Sequence, residues 1–214
     1  MKKISLIALL GIICFDAHAV NFRQYASLKL AAPVSSKIEL KEKISMIDWS
    51  TMMEYQENYT EDFDLGTTNG LVIAYGVQLS DARIELEYNH YFNDSTIEDT
   101  DLCIKNDSLF ANAYFDIKTY SPFTPYVGLG IGYNQQELSA ESESETLHSL
   151  AWKVATGVGW KVNNTVTLDI GYRYINFGTT EYTETEIGYP YEYSYKVEFN
   201  NVAHELTLGA RISF

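Results

Sequence analysis

The sequence predicts an all-β fold, an eight-stranded antiparallel up-and-down transmembrane β-barrel with long outer loops and short periplasmic turns. Three observations carry this expectation. Period-2 alternation of apolar and polar residues recurs in eight segments, each of about 9 to 11 residues, the length a tilted strand needs to cross a bilayer. The connections between the segments alternate long and short, as outer-membrane barrels require. The amino terminus has the organisation of a secretory leader.

The leader comes first. Lys2 and Lys3 precede an apolar run from Ile4 to Phe15, followed by Ala17, His18 and Ala19. This is a charged start, a short apolar middle and an A-x-A end, so cleavage is expected after Ala19, with residues 1–19 removed and 20–214 forming one barrel domain. The apolar run is too short to span a bilayer as a helix, which takes about 20 residues. Cys14 follows Ile13 rather than a small residue, so no lipid anchor is expected there. Cys103 is then the single thiol of the mature chain, which permits no internal disulfide in an oxidising compartment.

The alternating segments lie near residues 22–32, 69–79, 82–92, 108–117, 125–134, 149–160, 165–175 and 202–214. Successive side chains of a strand point to opposite faces. In the third segment Ile84, Leu86 and Tyr88 alternate with Arg83, Glu85, Glu87 and Asn89; in the last, Leu206, Leu208, Ala210, Ile212 and Phe214 alternate with Glu205, Thr207, Gly209, Arg211 and Ser213. One face is apolar throughout. The connections at residues 33–68, 93–107, 135–148 and 176–201 are long, while Ser80-Asp81, 118–124 and 161–164 are short, an asymmetry for which a soluble sandwich has no reason. Phe22, Phe115, Trp160 and Phe214 fall at the periplasmic ends of the apolar face. Tyr88, Tyr133, Trp152, Tyr172 and Tyr174 fall at its outer ends, as interfacial girdles do.

The opposite face collects the charges. Lys29, Arg83, Lys153, Arg173 and Arg211 face Glu85, Glu87, Asp116, Asp169 and Glu205, five of each sign. Eight strands enclose a space just wide enough to be filled by side chains. These ions are therefore expected to pair, since an unpaired buried charge is very costly. Gly128, Gly130, Gly132, Gly157, Gly159, Gly171 and Gly209 share that inward parity and leave room for long side chains opposite.

The chain is acidic, with a net charge of −14. The excess lies in the long connections, which hold 22 Asp and Glu against five Lys. No basic footprint for nucleic acid is present. Acidic runs such as Asp94, Glu98, Asp99, Asp101 and Glu141, Glu143, Glu145 suit a solvated face; as calcium ligands they lack a D-x-D-x-D-G pattern. The first long connection carries the apolar group Met46, Ile47, Trp49, Met52 and Met53, and the fourth carries Tyr182, Tyr189, Tyr191, Tyr193 and Tyr195. Alternation from Tyr191 to Phe199 suggests strands that continue beyond the membrane.

Signals for catalysis are weak. His90 and His204 have lipid-facing parity at the outer rim, and His148 adjoins Ser149, with Asp94 and Ser95 in another connection. There is no G-x-S-x-G, H-E-x-x-H or phosphate-binding loop, and GLGIGY at 128–133 lies inside a strand. No enzyme, cofactor or metal is expected.

The segments PYVGLGIGY (Pro125–Tyr133), LAWKVATGVGWKVNNTVTLDIGYRY (Leu150–Tyr174) and LTLGARISF (Leu206–Phe214) resemble the OmpA-like, opacity-type outer-membrane β-barrel family, whose members include porin-like and surface-antigen barrels. The resemblance spans the barrel and leaves the outer connections unmatched. It implies residence in the outer membrane of a Gram-negative bacterium, among outer-membrane lipid and lipopolysaccharide. It also implies handling by periplasmic chaperones and the barrel-assembly machinery. The assembly signal maps onto Leu206, Leu208, Ala210, Ile212 and Phe214, with Ile212 where an aromatic is common. The expected function is structural and surface-interacting, of adhesion or surface-antigen type, with a host or cell-surface ligand as partner. The alternatives are a narrow pore or carrier for small solutes, and a membrane enzyme acting on lipid or peptide.

Overall fold

The computed structural model describes residues 22–64, 68–92, 95–96, 102–140 and 143–214. The expected leader with Ala17 and Ala19 lies outside them, as do Cys14, Asp94, Glu98, Asp99, Asp101 and Glu141.

The chain runs through strands β1 (Phe22–Asp48), β2 (Met53–Asp64), β3 (Gly70–Leu79), β4 (Ala82–Tyr91), β5 (Ser95–Thr96), β6 (Leu102–Asp116), β7 (Phe123–Ala140), β8 (Glu143–Lys161), β9 (Val166–Gly188) and β10 (Tyr191–Ser213). Eight of them pair antiparallel in the order β1-β3-β4-β6-β7-β8-β9-β10, and β10 returns to β1, from Tyr25↔Ser213 to Asp48↔Tyr191. The backbone of Cys103 pairs with Thr96 beside this ring. Closure leaves no strand edge in the ring, so every backbone donor can be satisfied without water, the condition for a β-structure in hydrocarbon. All eight alternating segments of the sequence fall on ring strands.

Burial is inverted relative to a soluble protein. Leu28, Leu129 and Leu208 are 55%, 66% and 64% exposed, whereas Arg83, Glu87 and Glu205 are at most 1% exposed. Lipid, not water, is the solvent for the outer face, so apolar side chains point outward and polar ones turn in. Phe115, Trp160 and Phe214 at one end, and Tyr133, Trp152 and Tyr172 at the other, are exposed on that outer face.

The long connections are built largely of strand. Residues 37–48 of β1 pair with β2 on one side and with β10 on the other, while β9 pairs with β10 as far as Gly188↔Tyr191. Since β8 pairs with β9 only up to Trp152↔Asn176, the four upper segments form a ribbon, β2-β1-β10-β9, standing on the barrel. Irregularities mark its base. β1 shifts register between Pro33 and Ser35, where proline offers no amide hydrogen to the ladder. β10 shifts against β9 between Asn200 and Val202. Gly178 adopts φ +92°, a left-handed conformation natural to glycine, and a Cβ there would lie 2.3 Å from the Leu150 carbonyl oxygen.

Candidate functional site

Two regions carry the chemistry of the molecule: the filled lumen and the outer ribbon.

In the lumen the ten charged residues expected to face inward are all buried. At one end Arg211 reaches Asp169 through Nε and Nη2 at 2.7 and 3.1 Å, and Arg83 reaches Asp116 at 2.9 Å. The Arg83 and Arg211 guanidinium groups lie over Tyr114 and Tyr25 at 4.6 and 5.6 Å, where the negative face of an aromatic ring attracts a cation. Glu85 accepts from the Tyr25 hydroxyl at 3.0 Å and lies 3.7 Å from Lys29. Toward the other end Glu87 binds the Lys153 ammonium and Arg173 (3.0 Å), and Arg173 also donates to Glu205 at 2.5 Å and to the Asn89 side-chain oxygen at 2.7 Å. Tyr91 caps Glu205 at 2.6 Å. The structure thus brings all ten residues into ion pairs, and Asn112, donating to both Glu85 (3.4 Å) and Glu87 (3.2 Å), links the Lys29 pair to the Lys153–Glu87–Arg173–Glu205 group, the pairing that desolvated charges require.

The inward glycines make this packing possible. A Cβ on Gly128 would lie 2.2 Å from the Tyr114 ring, and one on Gly209 2.6 Å from the Lys29 side chain. Outward of the ions, Phe110, Ile175, Phe177, Ala151 and Ala203 form a buried apolar cluster against which Tyr91 packs. Sorting the charges by face does not reveal this apolar stopper. Its signal was present in parity, because Phe110 shares the inward parity of Asn112, and Ile175 that of Arg173.

At the outer rim the three described histidines point outward beside aromatic rings. His90 lies 2.8 Å from Asp107 and stacks on Tyr88; His148 stacks on Tyr133 at 5.3 Å between centroids; His204 sits between Tyr172 and Tyr174. His148 is therefore on β8, not in a loop. Ser149, its neighbour, points to the other face and donates to the Phe177 carbonyl at 2.5 Å. Adjacent residues of a strand diverge, so this pair cannot serve as nucleophile and base.

The ribbon sorts its side chains by face. Toward the lumen side it carries Ile38, Leu40, Ile44 and Met46 of β1 beside Tyr191, Tyr193, Tyr195, Val197 and Phe199 of β10. Met46 and Ile47 consequently lie on opposite faces, and the apolar group expected in this connection is split, with Trp49 and Met52 at the hairpin tip. The tip is ordered by Asp48, which accepts from Ser50 N (2.8 Å), Ser50 Oγ (2.6 Å) and Thr51 N (3.3 Å). These bonds, Ser50's first, hold its carboxyl below the usual range. Trp49 N donates to the Pro190 carbonyl at 2.8 Å, tying the two hairpin tips together. The opposite face holds Lys37, Lys41, Lys43 and Lys196. There Lys196 is bound by Glu198 at 2.8 Å and Glu181 at 3.0 Å, which raises its pKa above the ordinary lysine value. Leu206, Leu208, Ile212 and Phe214, onto which the family resemblance maps an assembly signal, are exposed on the lipid face.

Comparison with known proteins places this architecture. A family model described as "Opacity family porin protein" matches residues 74–188. Among curated proteins, outer membrane protein PagN of Salmonella typhimurium is 22% identical over 121 residues, covering 52% of this chain and 51% of PagN. Opacity protein opA67 of Neisseria gonorrhoeae is 28% identical over 139 residues, covering 50% and 53%. The chain thus spans about half the length of these relatives. Among solved structures, Neisserial surface protein A superposes with a TM-score of 0.55 at 21% identity, covering 86% of this chain and 99% of that one. OprG of Pseudomonas aeruginosa gives 0.52 at 16%, covering 90% and 95%.

Proposed function

The chain belongs to the Opacity family of porin proteins, outer-membrane β-barrels, and from that premise we propose that it is a closed barrel that displays its outer ribbon for contact with other surfaces, in the manner of an adhesin or surface antigen. The observation that carries this reading is the packed lumen. Ion pairs from Arg211–Asp169 to Arg173–Glu205, followed by the Phe110–Ile175–Phe177 cluster, occupy the path a solute would take. Molecular elaboration then lies outside, in hairpins that extend the barrel wall with exposed tyrosines and carboxylates. Rigid amphipathic aromatics of this kind give contact area at low entropic cost. In this reading the ten lumen ions serve closure and stability, Leu206 to Phe214 serve assembly, and the partners are lipopolysaccharide around the barrel and a ligand on a facing surface.

The test compares intact cells that display the full protein with cells that display a variant in which residues 181–196 of the β9–β10 hairpin are replaced by a two-residue turn. Equal amounts of folded barrel and reduced attachment to a cell monolayer are expected. Undiminished attachment overturns the surface-interaction reading.

A further inference from the structure

The ribbon has a property that neither the barrel nor the packed lumen requires. Its lumen-side face contains carboxylates and aromatic rings but, among the described residues, no Lys, Arg or His; the lysines of the ribbon are all on the other face. On this face Glu42 lies in β1, Glu57 and Glu61 in β2, and Glu184 and Glu186 in β9. The Tyr195 hydroxyl donates to Glu42 at 2.9 Å and the Tyr59 hydroxyl to Glu57 at 2.7 Å. Tyr55, Tyr59 and Tyr193 remain 54%, 50% and 48% exposed.

Among the described residues the ribbon also ends in an open edge. β2 is hydrogen-bonded, among the described residues, to β1 alone and is last in the strand order. Such an edge presents a row of main-chain N–H and C=O groups to any strand that can lie beside it. Along its lumen-side face β2 reads Met53, Tyr55, Glu57, Tyr59, Glu61, Phe63, an alternation of ring and carboxylate. Its other face, from Glu54 to Asp64, also lacks a cation. Two β2 edges brought together would oppose carboxylate to carboxylate, so a second copy of this chain is disfavoured.

We infer that the β2 edge and the adjoining tyrosine–carboxylate face form a docking site for an extended basic segment of a partner protein, which adds as a strand to β2 with Arg or Lys side chains placed four residues apart against Glu57 and Glu61. A guanidinium or ammonium group there meets a carboxylate and, beside it, the face of a tyrosine ring. Apolar residues midway between the basic ones pack on Tyr59, and main-chain hydrogen bonds supply affinity that does not depend on sequence. The inference deepens the surface-interaction reading and rests on it.

The test uses the purified full-length barrel in detergent micelles and a fluorescent ten-residue peptide that alternates Thr and apolar residues, with Arg at two positions four apart. Saturable binding is expected, weakened about five- to tenfold by Glu57→Gln with Glu61→Gln, and abolished when alternate peptide amides are N-methylated on the edge that would pair. Glu181→Gln, on the opposite face, is expected to leave affinity unchanged. Binding that survives N-methylation, that is equal for a scrambled peptide of the same charge, or that ignores the Glu57 and Glu61 changes overturns the inference, as does no binding at all. N-methylation alters only the peptide, so the outcome does not depend on how any variant folds. If cell attachment is lost with the β9–β10 hairpin while the basic peptide fails to bind, the inference falls and the surface-interaction reading stands.

Discussion

At the scale of single residues, the lumen shows why a charge can be stable inside a barrel. Glu87 is the junction of the network, bridging Lys153 and Arg173. Glu87→Ala removes one anion and leaves Lys153 buried without its carboxylate partner, a change worth about 3–5 kcal/mol of destabilisation. The paired change Glu87→Leu with Lys153→Met removes one charge of each sign, and Arg173 keeps Glu205. It is expected to cost clearly less than the single change. Urea titration in micelles, read by the mobility difference between folded and unfolded barrel on gels, measures both; equal losses would show that the pair does not act as a unit. These ten ions were legible in the sequence because strand parity sorts side chains two by two. Which cation meets which anion was not, since partners such as Lys153 and Glu87 come from strands far apart in the chain and meet across the lumen.

At the scale of elements, hairpin tips decide how far the strands can run past the membrane. The β1–β2 tip is held by Asp48, whose carboxyl is depressed because Ser50 and Thr51 donate to it. A depressed folded value means that this contribution to turn order is fully present above the ordinary aspartate pKa of about 4 and is lost as pH falls through the lower folded value. Asp48→Ala should remove it at every pH. Limited proteolysis of intact cells is expected to cut faster between residues 48 and 53 in this variant at neutral pH, with the remainder of the barrel protected; an unchanged cutting rate would count against a role for the carboxylate. The sequence showed strand continuing past the membrane only from Tyr191 to Phe199 and left the rest of 33–68 and 176–201 as connection, because the extra residue at Pro33–Ser35 switches the parity of β1 and carboxylates interrupt the apolar face at Glu42, Glu57 and Glu61. Met52 at φ 56° also lacks the glycine that commonly signals a tight turn.

For the whole molecule, a filled lumen and a lipid-facing shell predict electrical silence. Purified protein in planar bilayers is expected to give no steady ohmic conductance; large, stable openings would show that the ion pairs and the Phe110 cluster leave a continuous path. This expectation separates the family's porin description from the behaviour of this member.

The number of ring strands, their inside and outside parity, the inward placement of the ten charges and the outer-membrane destination were determined by the sequence alone. Each follows from a local rule, period-2 alternation against a membrane about 30 Å thick, that adjacent residues suffice to reveal. The tertiary structure decided what depends on distant segments meeting: the pairing within the lumen, the apolar stopper assembled from β6, β8, β9 and β10, and the ribbon whose four strands come from the two ends of the chain. Closure of β10 on β1 is the physical reason. It places the first and last outer hairpins side by side, so that two stretches read separately as loops become one sheet with an open edge.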